Sequence, residues 1–176
     1  MSGIIQATNL QVDNIKSSGG TTGLTINTAG VVLQPTKPCF RANATSGNLS
    51  IANSTDVLIA YNNEFFDVGG YYDHSTNYRY TPQVAGKYFI LARVYFTYSS
   101  YATENLVLSI RKNNSIYARN HRYSADELYG SVEVTTLVDM NGSSDYLDVY
   151  GLVTASSDAK YYANDYYGEF SGYLIG

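Results

Sequence analysis

Few side chains in this sequence are of the types that catalyse reactions, and none is arranged for catalysis. The two histidines, His74 and His121, are isolated, and neither belongs to an HxxxH or Cys/His cluster that could bind zinc. Cys39 has no base nearby in the sequence, so we expect a small core residue. Asp126 and Glu127 are neighbours and would point to opposite faces of a strand, whereas glycoside cleavage needs two facing acids. The sequence therefore predicts no catalytic residue and no enzyme.

The sequence also contains no clear motif for binding a metal or a cofactor. Gly19-Gly20 is not followed by the Lys-Ser/Thr pair of a phosphate-binding loop. Asp139, Asp145 and Asp148 could offer oxygen ligands to calcium, but they lack the spacing of an EF-hand, and solvated turn acids are the simpler interpretation. We therefore expect no bound metal and no cofactor, with calcium at these acids as the alternative.

Composition narrows the possible partners. The 176 residues carry a formal net charge of -4 and no run of Lys or Arg, whereas nucleic acids and anionic membranes both require a concentrated basic patch. No apolar run is long enough to span a bilayer, and residues 1–6 do not begin a secretory leader. A single cysteine cannot form an internal disulfide. We expect a protein made in a cytosol, without nucleic-acid binding or membrane insertion.

The residue pattern favours β-strands. Tyrosine occurs 19 times and tryptophan not at all, which suits sheets whose faces are partly apolar and partly hydrogen-bonding. Alternating runs begin at Phe40, Lys87 and Leu106, and turn signals stand at 111–114 and at Asn141-Gly142. Strands recurring about every ten residues, without a helical period, predict an all-β sandwich or jelly roll.

Aromatic residues recur at fixed offsets between residues 61 and 92 and meet a turn marked by Pro82 and Gly86. The recurring positions are Tyr61, Asp67, Tyr72, Tyr80, Gly86 and Tyr88. With one extra residue between Tyr72 and Tyr80, this spacing resembles the signature of the C1q/TNF-like family. The turn at 111–114 and the closing segment 170–175 agree with it, although Asn114 replaces a glycine. The resemblance implies a jelly-roll knob over residues 38–176 and a homotrimer.

Residues 1–37 differ in composition and contain no Tyr or Phe. Short alternating runs at 7–13 and 23–26 predict two or three strands that are too small to be stable alone. They resemble the β-repeats of bacteriophage fibre stems and attachment segments, in which three chains share one core; a flexible N-terminal linker is the alternative. Residues 35–38, which contain two prolines, are expected to form a hinge after this segment. The predicted attachment residues are Ile4, Ile5, Leu10, Val12, Ile15, Leu24 and Ile26.

The stretch 87–98 is apolar on both faces of the predicted strand, so one face should meet another sheet or another subunit. The predicted trimer interface consists of Tyr88, Ile90, Val94, Phe96, Tyr98, Phe170 and Tyr173. We expect Val94→Asp to break the trimer by placing a charge against packed apolar surface.

The stretch 156–167 mixes Tyr, Ser and Asn as adaptable binding loops do. The family resemblance implies that both termini lie at the base of the knob and this loop at the far end. The predicted receptor-contacting residues are Asp158, Lys160, Tyr161, Tyr162, Asn164, Asp165, Tyr166 and Tyr167. Packing of these tyrosines between protomers is the alternative.

Together these features predict a trimeric structural protein of a bacteriophage virion: a fibre, a head decoration or a tail-tip protein, made in the host cytoplasm. Its N-terminal segment would bind other virion proteins, and its tip would contact a glycan or protein of the host surface. Animal relatives carry a leader and often a collagen stalk, and this sequence has no Gly-X-Y repeat. The alternatives are a stand-alone C1q-like glycan-binding lectin and a purely structural trimer that cements a capsid.

Overall fold

The computed structural model describes residues 12–45, 49–51, 54–154, 159–162 and 166–176, and gives only the backbone of 49, 98–104, 124–128, 159 and 162. Throughout these ranges the chain is strand, turn or irregular, so the all-β prediction is confirmed. None of the described residues forms a helix that could cross a membrane. The chain divides into two units, Met1–Lys37 and Pro38–Gly176.

The first unit contains a small antiparallel sheet, in the order β1-β2-β3. Its strands are β1 (Asn14–Lys16), β2 (Thr22–Ile26) and β3 (Val32–Leu33). The second predicted run, 23–26, lies within β2. Of the first predicted run, 7–13, the structure describes only residues 12 and 13. These two residues are not in a strand, because β1 begins at Asn14, so this part of the prediction was wrong. Residues 7–11 lie outside the described residues.

The second unit is built from eleven strands in the described ranges. They are β4 (Cys39–Asn43), β5 (Leu49–Ile51), β6 (Val57–Leu58), β7 (Asn63–Val68), β8 (Tyr72–Asp73), β9 (Arg79–Tyr80), β10 (Ala85–Lys112), β11 (Ser115–Asn141), β12 (Leu147–Thr154), β13 (Ala159–Tyr162) and β14 (Glu169–Leu174). The pairings between them are antiparallel.

A long hairpin of β10 and β11 takes part in both layers of the sandwich. The sequence predicted separate strands around 87–98 and 106–110, but β10 is continuous over 28 residues. No Pro or Gly interrupts it after residue 86, and register shifts between Thr97 and Glu104 mark where the pairing is irregular. The hairpin turns at Asn113 and Asn114, with φ of 52° and 67°, as a two-residue turn with two left-handed residues requires.

The two halves of β10 define two sheets. The first sheet has the order β7-β4-β14-β10-β11 and uses the N-terminal half of β10. In the second sheet, residues 105–112 of β10 pair with β12, which also pairs with β6 and β9. Apolar side chains from both sheets belong to one buried core. This is a sandwich of antiparallel sheets.

Aromatic rings form the centre of that core. The ring of Phe40 stacks on Tyr80, with centroids 4.1 Å apart, and on Tyr72, at 5.1 Å, and it meets Phe170 edge-on at 4.9 Å. The Tyr72 hydroxyl donates to the carbonyl of Tyr61 at 2.8 Å. Tyrosine suits these positions because its ring is buried while its hydroxyl satisfies a backbone acceptor.

Candidate functional site

The side of the first sheet that faces away from the core carries a row of apolar residues across five strands. Backbone pairing places them side by side in the order Val68, Cys39, Tyr173, Phe89 and Leu137. Tyr173 and Leu137 are 50% and 59% exposed. Side chains alternate along a strand, so the neighbouring residues of β10 that point the other way fill the core. We call the side containing this row the outer face.

The next rows of the outer face mix aromatic and charged side chains. Arg41 approaches Glu169 at 3.4 Å and Arg93 approaches it at 3.9 Å, while the Ser171 hydroxyl donates to the same carboxylate at 2.8 Å. The guanidinium of Arg41 also lies 4.5 Å from the ring centroid of Phe65. One carboxylate therefore serves two guanidinium groups in the middle of an aromatic surface.

A small pocket of about 210 Å³ opens between these residues. It is lined by Cys39, Phe40, Arg41, Phe66, Phe89, Glu169, Ser171, Gly172 and Tyr173. Ligand pockets are usually about 300 Å³ or more, so this one suits a single inserted side chain better than a free small molecule. Burial raises the pKa of the Cys39 thiol, and the Asp67 carboxylate raises it further, which disfavours the nucleophilic thiolate.

The structure corrects most of the predicted trimer interface. Five of its seven members have fully buried side chains within one chain: Tyr88, Ile90, Val94, Phe96 and Phe170. These assignments were wrong, because a side chain enclosed by its own core cannot contact another chain. Tyr173 lies on the outer face, and the side chain of Tyr98 is outside the described residues. Val94→Asp would therefore unfold the chain instead of separating intact subunits.

Comparison with solved structures identifies the fold of this scaffold. The globular domain of zebrafish complement 1qA protein has a TM-score of 0.56 and 12% identity, covering 80% of this chain and 98% of that one. Murine APRIL at pH 5.0 has a TM-score of 0.57 and 12% sequence identity, and the match covers 79% of this chain and 99% of that one. Eiger TNF from S. frugiperda has a TM-score of 0.52 and 12% sequence identity, and the match covers 81% of this chain and 94% of that one. The second unit has a C1q/TNF-like jelly-roll fold. No family model and no curated protein matches the sequence.

The end of the C1q/TNF-like unit opposite its C-terminus carries strand β13, which contains Lys160 and Tyr161 of the predicted receptor loop. The carbonyl of Gly176 accepts a hydrogen bond from the Lys87 amide, whereas β13 pairs with Tyr95–Tyr98 of β10. Along β10 the nearer of these β13-paired residues, Tyr95, is eight positions beyond Lys87, which is about 27 Å of strand. β13 and the C-terminus therefore lie at opposite ends of the first sheet.

Only part of the predicted receptor loop is available for contact. Tyr161 is a core residue whose hydroxyl accepts a hydrogen bond from the Ala60 amide at 3.4 Å, so its assignment to receptor contact was wrong. Lys160 is exposed, Tyr166 is 83% exposed, and Tyr167 packs on Tyr95 with ring centroids 4.8 Å apart. Asp158, Asn164, Asp165 and the side chain of Tyr162 lie outside the described residues.

The histidines have ordinary structural partners. His74 Nδ1 lies 3.4 Å from Glu64, and His121 Nε2 lies 2.9 Å from the amide oxygen of Asn105. In the described part of the chain, no group of three or more His, Cys, Asp or Glu could hold a metal ion. The side chains of Asp126 and Glu127 are outside that part.

Two of the three acids considered for calcium bind lysine instead. Asp139 pairs with Lys87 at 3.1 Å, and Asp145 pairs with Lys112 at 2.8 Å. Hydrogen bonds from Lys112 and Asn113 hold the pKa of Asp145 below its usual value. An ammonium group at each acid disfavours a cation at the same position.

Asp148 was wrongly interpreted as a solvated acid. It lies on β12 with 5% of its surface exposed, and burial raises its pKa although Arg111 and Arg79 oppose the shift. Both arginines stack on tyrosine rings beside it: Arg79 on Tyr146 at 4.5 Å and Arg111 on Tyr150 at 3.9 Å. Alternation in the sequence puts Tyr146 and Tyr150 on the same side as Asp148, but it does not show that two arginines from other strands pack there.

Proposed function

We propose that this protein is a homotrimeric, non-enzymatic structural component of a bacteriophage particle, with the C1q/TNF-like unit as its knob. The observation that carries the proposal is the outer face of the first sheet. Its apolar row is partly exposed in a single chain, while the core beneath it is complete within that chain. A closed threefold assembly of identical chains would cover this surface in every copy.

The energetics of the outer face favour association. Phe66, Leu137 and Tyr173 are each about half exposed, and burying the remaining surface of each would contribute roughly 1 kcal/mol. The pocket beside Tyr173 offers a place for a side chain of the adjoining copy. Arg41 and Arg93 sit at the centre, where a neighbouring acceptor could satisfy guanidinium groups that now share one carboxylate.

The trimer is also what the family resemblance implies. The test is the mass of the purified protein in light scattering, with a variant that alters only the outer face. A trimer that dissociates on substitution of an exposed outer-face residue supports the proposal. A folded wild-type monomer at micromolar concentration contradicts it.

The place of this trimer in a virion is supported by the first unit, whose composition and short strands resemble phage stem and attachment segments. In this role the first unit binds other virion proteins, and the end of the knob near β13 faces the host. Antibodies against the purified protein should decorate phage particles from the source culture in electron microscopy. Labelling of cellular material alone would contradict a virion role.

Contact with a host surface is the adhesive part of the proposal, and Tyr166 is its best-placed residue. Exposed tyrosine rings stack on sugar rings and on protein side chains, and three copies per particle component would strengthen weak contacts by avidity. Tyr166→Ala should lower binding of the trimer to host cells while leaving its mass unchanged. Unaltered binding would favour a trimer that only cements the particle.

A stand-alone glycan-binding lectin is the second candidate, because the same exposed tyrosine would serve it. Binding of the purified knob to a glycan array, together with no labelling of phage particles, would favour the lectin. Turnover of a host polysaccharide that is abolished by one Asp→Asn change would overturn the non-enzymatic part of either proposal.

A further inference from the structure

The second sheet also has a side that faces away from the core, and its centre is polar. Backbone pairing sets Arg111 of β10 opposite Asp148 of β12, and Ser109 opposite Tyr150. The two residues next to Asp148 on β12 are completely buried in the core, so Asp148 itself points away from the core. These four side chains therefore lie next to one another on the side of the second sheet that faces away from the core.

Two arginine–tyrosine stacks cover this part of the sheet. The guanidinium of Arg79 lies 4.5 Å from the ring centroid of Tyr146, and that of Arg111 lies 3.9 Å from the ring centroid of Tyr150. Long side chains that lie flat on a sheet bury the shorter ones beneath them. Asp148 is accordingly only 5% exposed, although it is not part of the apolar core.

Three polar atoms beneath these stacks lack a hydrogen bond. In the described part of the chain, Asp148 Oδ1, Arg111 Nε and Ser109 Oγ are buried and have no partner. A buried polar atom without a partner costs stability, and such atoms are uncommon in folded proteins. Three of them on adjoining residues indicate a place for the polar groups of a ligand. We call these three residues, together with the residues of the two stacks, the Asp148 site.

The charges of the Asp148 site select the kind of ligand. Its two guanidinium groups are balanced by Asp148 and by Asp56, which forms a salt bridge with Arg111. A cation would meet two arginines, and an anion would meet a buried carboxylate. A neutral ligand whose groups both donate and accept hydrogen bonds meets neither obstacle. Sugar hydroxyls are such groups, and the apolar face of a sugar ring packs well on tyrosine.

We propose that the Asp148 site binds a neutral sugar, a hexopyranoside with two adjacent free hydroxyl groups. One hydroxyl donates to Asp148 Oδ1, the next accepts from Arg111 Nε, and the sugar ring packs on Tyr146 after Arg79 has moved aside. The stack of a guanidinium group on a partly exposed ring is weak enough to open. The inference does not depend on the proposed trimer, and it assigns a different site from Tyr166.

Saturation-transfer difference NMR of the full-length protein tests this inference. The probes are the methyl glycosides of glucose, galactose, mannose and N-acetylglucosamine, with methyl glucuronide as the anionic comparison. At least one neutral glycoside should bind, and Asp148→Asn should weaken its binding about ten-fold or more, because an uncharged amide is a poorer acceptor than a carboxylate. The matched control is Asp139→Asn, which makes the same change at an exposed acid paired with Lys87 and should leave binding unchanged.

Binding and stability should change in opposite directions in Asp148→Asn. Burial raises the pKa of Asp148, so the variant should be at least as stable as the wild type near neutral pH, and its weaker binding would not reflect unfolding. Arg79→Ala removes the stack over Tyr146 and should strengthen binding of the same glycoside. It replaces Asp148→Asn as the test if that variant does not fold.

The remaining outcomes separate the Asp148 site from the other proposals. No binding of any neutral glycoside, binding of the glucuronide alone, or equal binding by Asp148→Asn would overturn the inference and leave the proposed trimer intact. Weaker binding by Arg79→Ala would also contradict it. Tyr166→Ala should leave glycoside binding unchanged, and a loss there without a loss in Asp148→Asn would place the sugar at Tyr166 instead.

Discussion

Phe89 on β10 and Tyr173 on β14 lie directly opposite each other, with ring centroids 5.4 Å apart, on the side of the first sheet that faces away from the core. One residue further along β10, Ile90 is completely buried. The same two strands therefore supply both the centre of the sandwich and an uncovered aromatic surface. This arrangement is the physical basis for proposing an assembly.

Tyr173→Glu should convert the trimer into a folded monomer, because the new carboxylate would be buried between copies without a partner. The matched control is Tyr123→Glu, which introduces the same charge at an exposed tyrosine elsewhere on β11. Light scattering gives the mass, and circular dichroism checks the fold. Dissociation of both variants, or of neither, would argue against the outer face as the interface.

Two core tyrosines should respond unequally to removal of the hydroxyl. Tyr72→Phe leaves the carbonyl of Tyr61 without its donor, so the free energy of unfolding should fall by about 1–3 kcal/mol. The buried Tyr80 hydroxyl interacts with Tyr88 but makes no hydrogen bond of good geometry to a described residue, so Tyr80→Phe should cost clearly less than Tyr72→Phe. Urea unfolding measures the free energy of unfolding of both variants. An equal decrease in both would show that the hydrogen bond of Tyr72 does not set the effect of removing a hydroxyl.

The hairpin turn offers a test at a single backbone position. Asn114 has φ of 67°, which glycine adopts without strain, so Asn114→Gly should raise the free energy of unfolding by roughly 0.5 kcal/mol. Asn114→Ala should lower it by about 1 kcal/mol. Thermal unfolding ranks the three proteins, and an alanine variant as stable as the glycine variant would contradict the left-handed turn.

Asn113 in the same turn should not tolerate glycine. Its side-chain oxygen accepts from the Tyr146 amide at 3.0 Å, and its side-chain nitrogen donates to Asp145 at 2.7 Å. Asn113→Gly should therefore cost about 1 kcal/mol in spite of its favourable φ. A stabilised variant in thermal unfolding would mean that these hydrogen bonds are not formed in solution.

Asp148→Asn should stabilise the protein near neutral pH. Burial raises the pKa of Asp148 above its usual 3.8, so folding favours the protonated carboxyl, and this contribution to stability is lost as pH rises through the folded pKa. Asparagine cannot ionise, so the advantage of the variant should grow between about pH 3 and about pH 7. Urea unfolding at both pH values measures the difference.

Asp145→Asn is the opposing control. Hydrogen bonds from Lys112 and Asn113 lower the pKa of Asp145, so its contribution to stability is present above its usual pKa of 3.8 and is lost in acid. The asparagine variant should therefore be less stable than the wild type near neutral pH and nearly equal to it in acid. The same pH trend in both variants would contradict these assignments.

The sequence was informative where local chemistry has a single outcome. Pro82 lies in the connection between β9 and β10, and the Asn113-Asn114 turn closes the hairpin, because these residue types fit few other backbone geometries. Gly86 was expected in the same connection but is the second residue of β10. The aromatic spacing pointed to the fold because Tyr61, Tyr72 and Tyr80 pack together in its core.

Sequence alternation could not decide which side of β10 faces inward. Val94 and Tyr95 are both apolar enough for a core. Only the packing of the first sheet against the second shows that Val94 is the buried one. Burial of Asp148 was missed for a related reason. Its neighbours Arg79 and Arg111 come from strands distant in the chain, so no local pattern records them.

The native mass of the full-length protein tests the central claim most directly. Light scattering at micromolar concentration should give about three times the 19.4 kDa of one chain, and Tyr173→Glu should give a single chain that retains its sheet signal. A wild-type protein that scatters as one folded chain would contradict the account, because its outer face would then be stable in water without a partner.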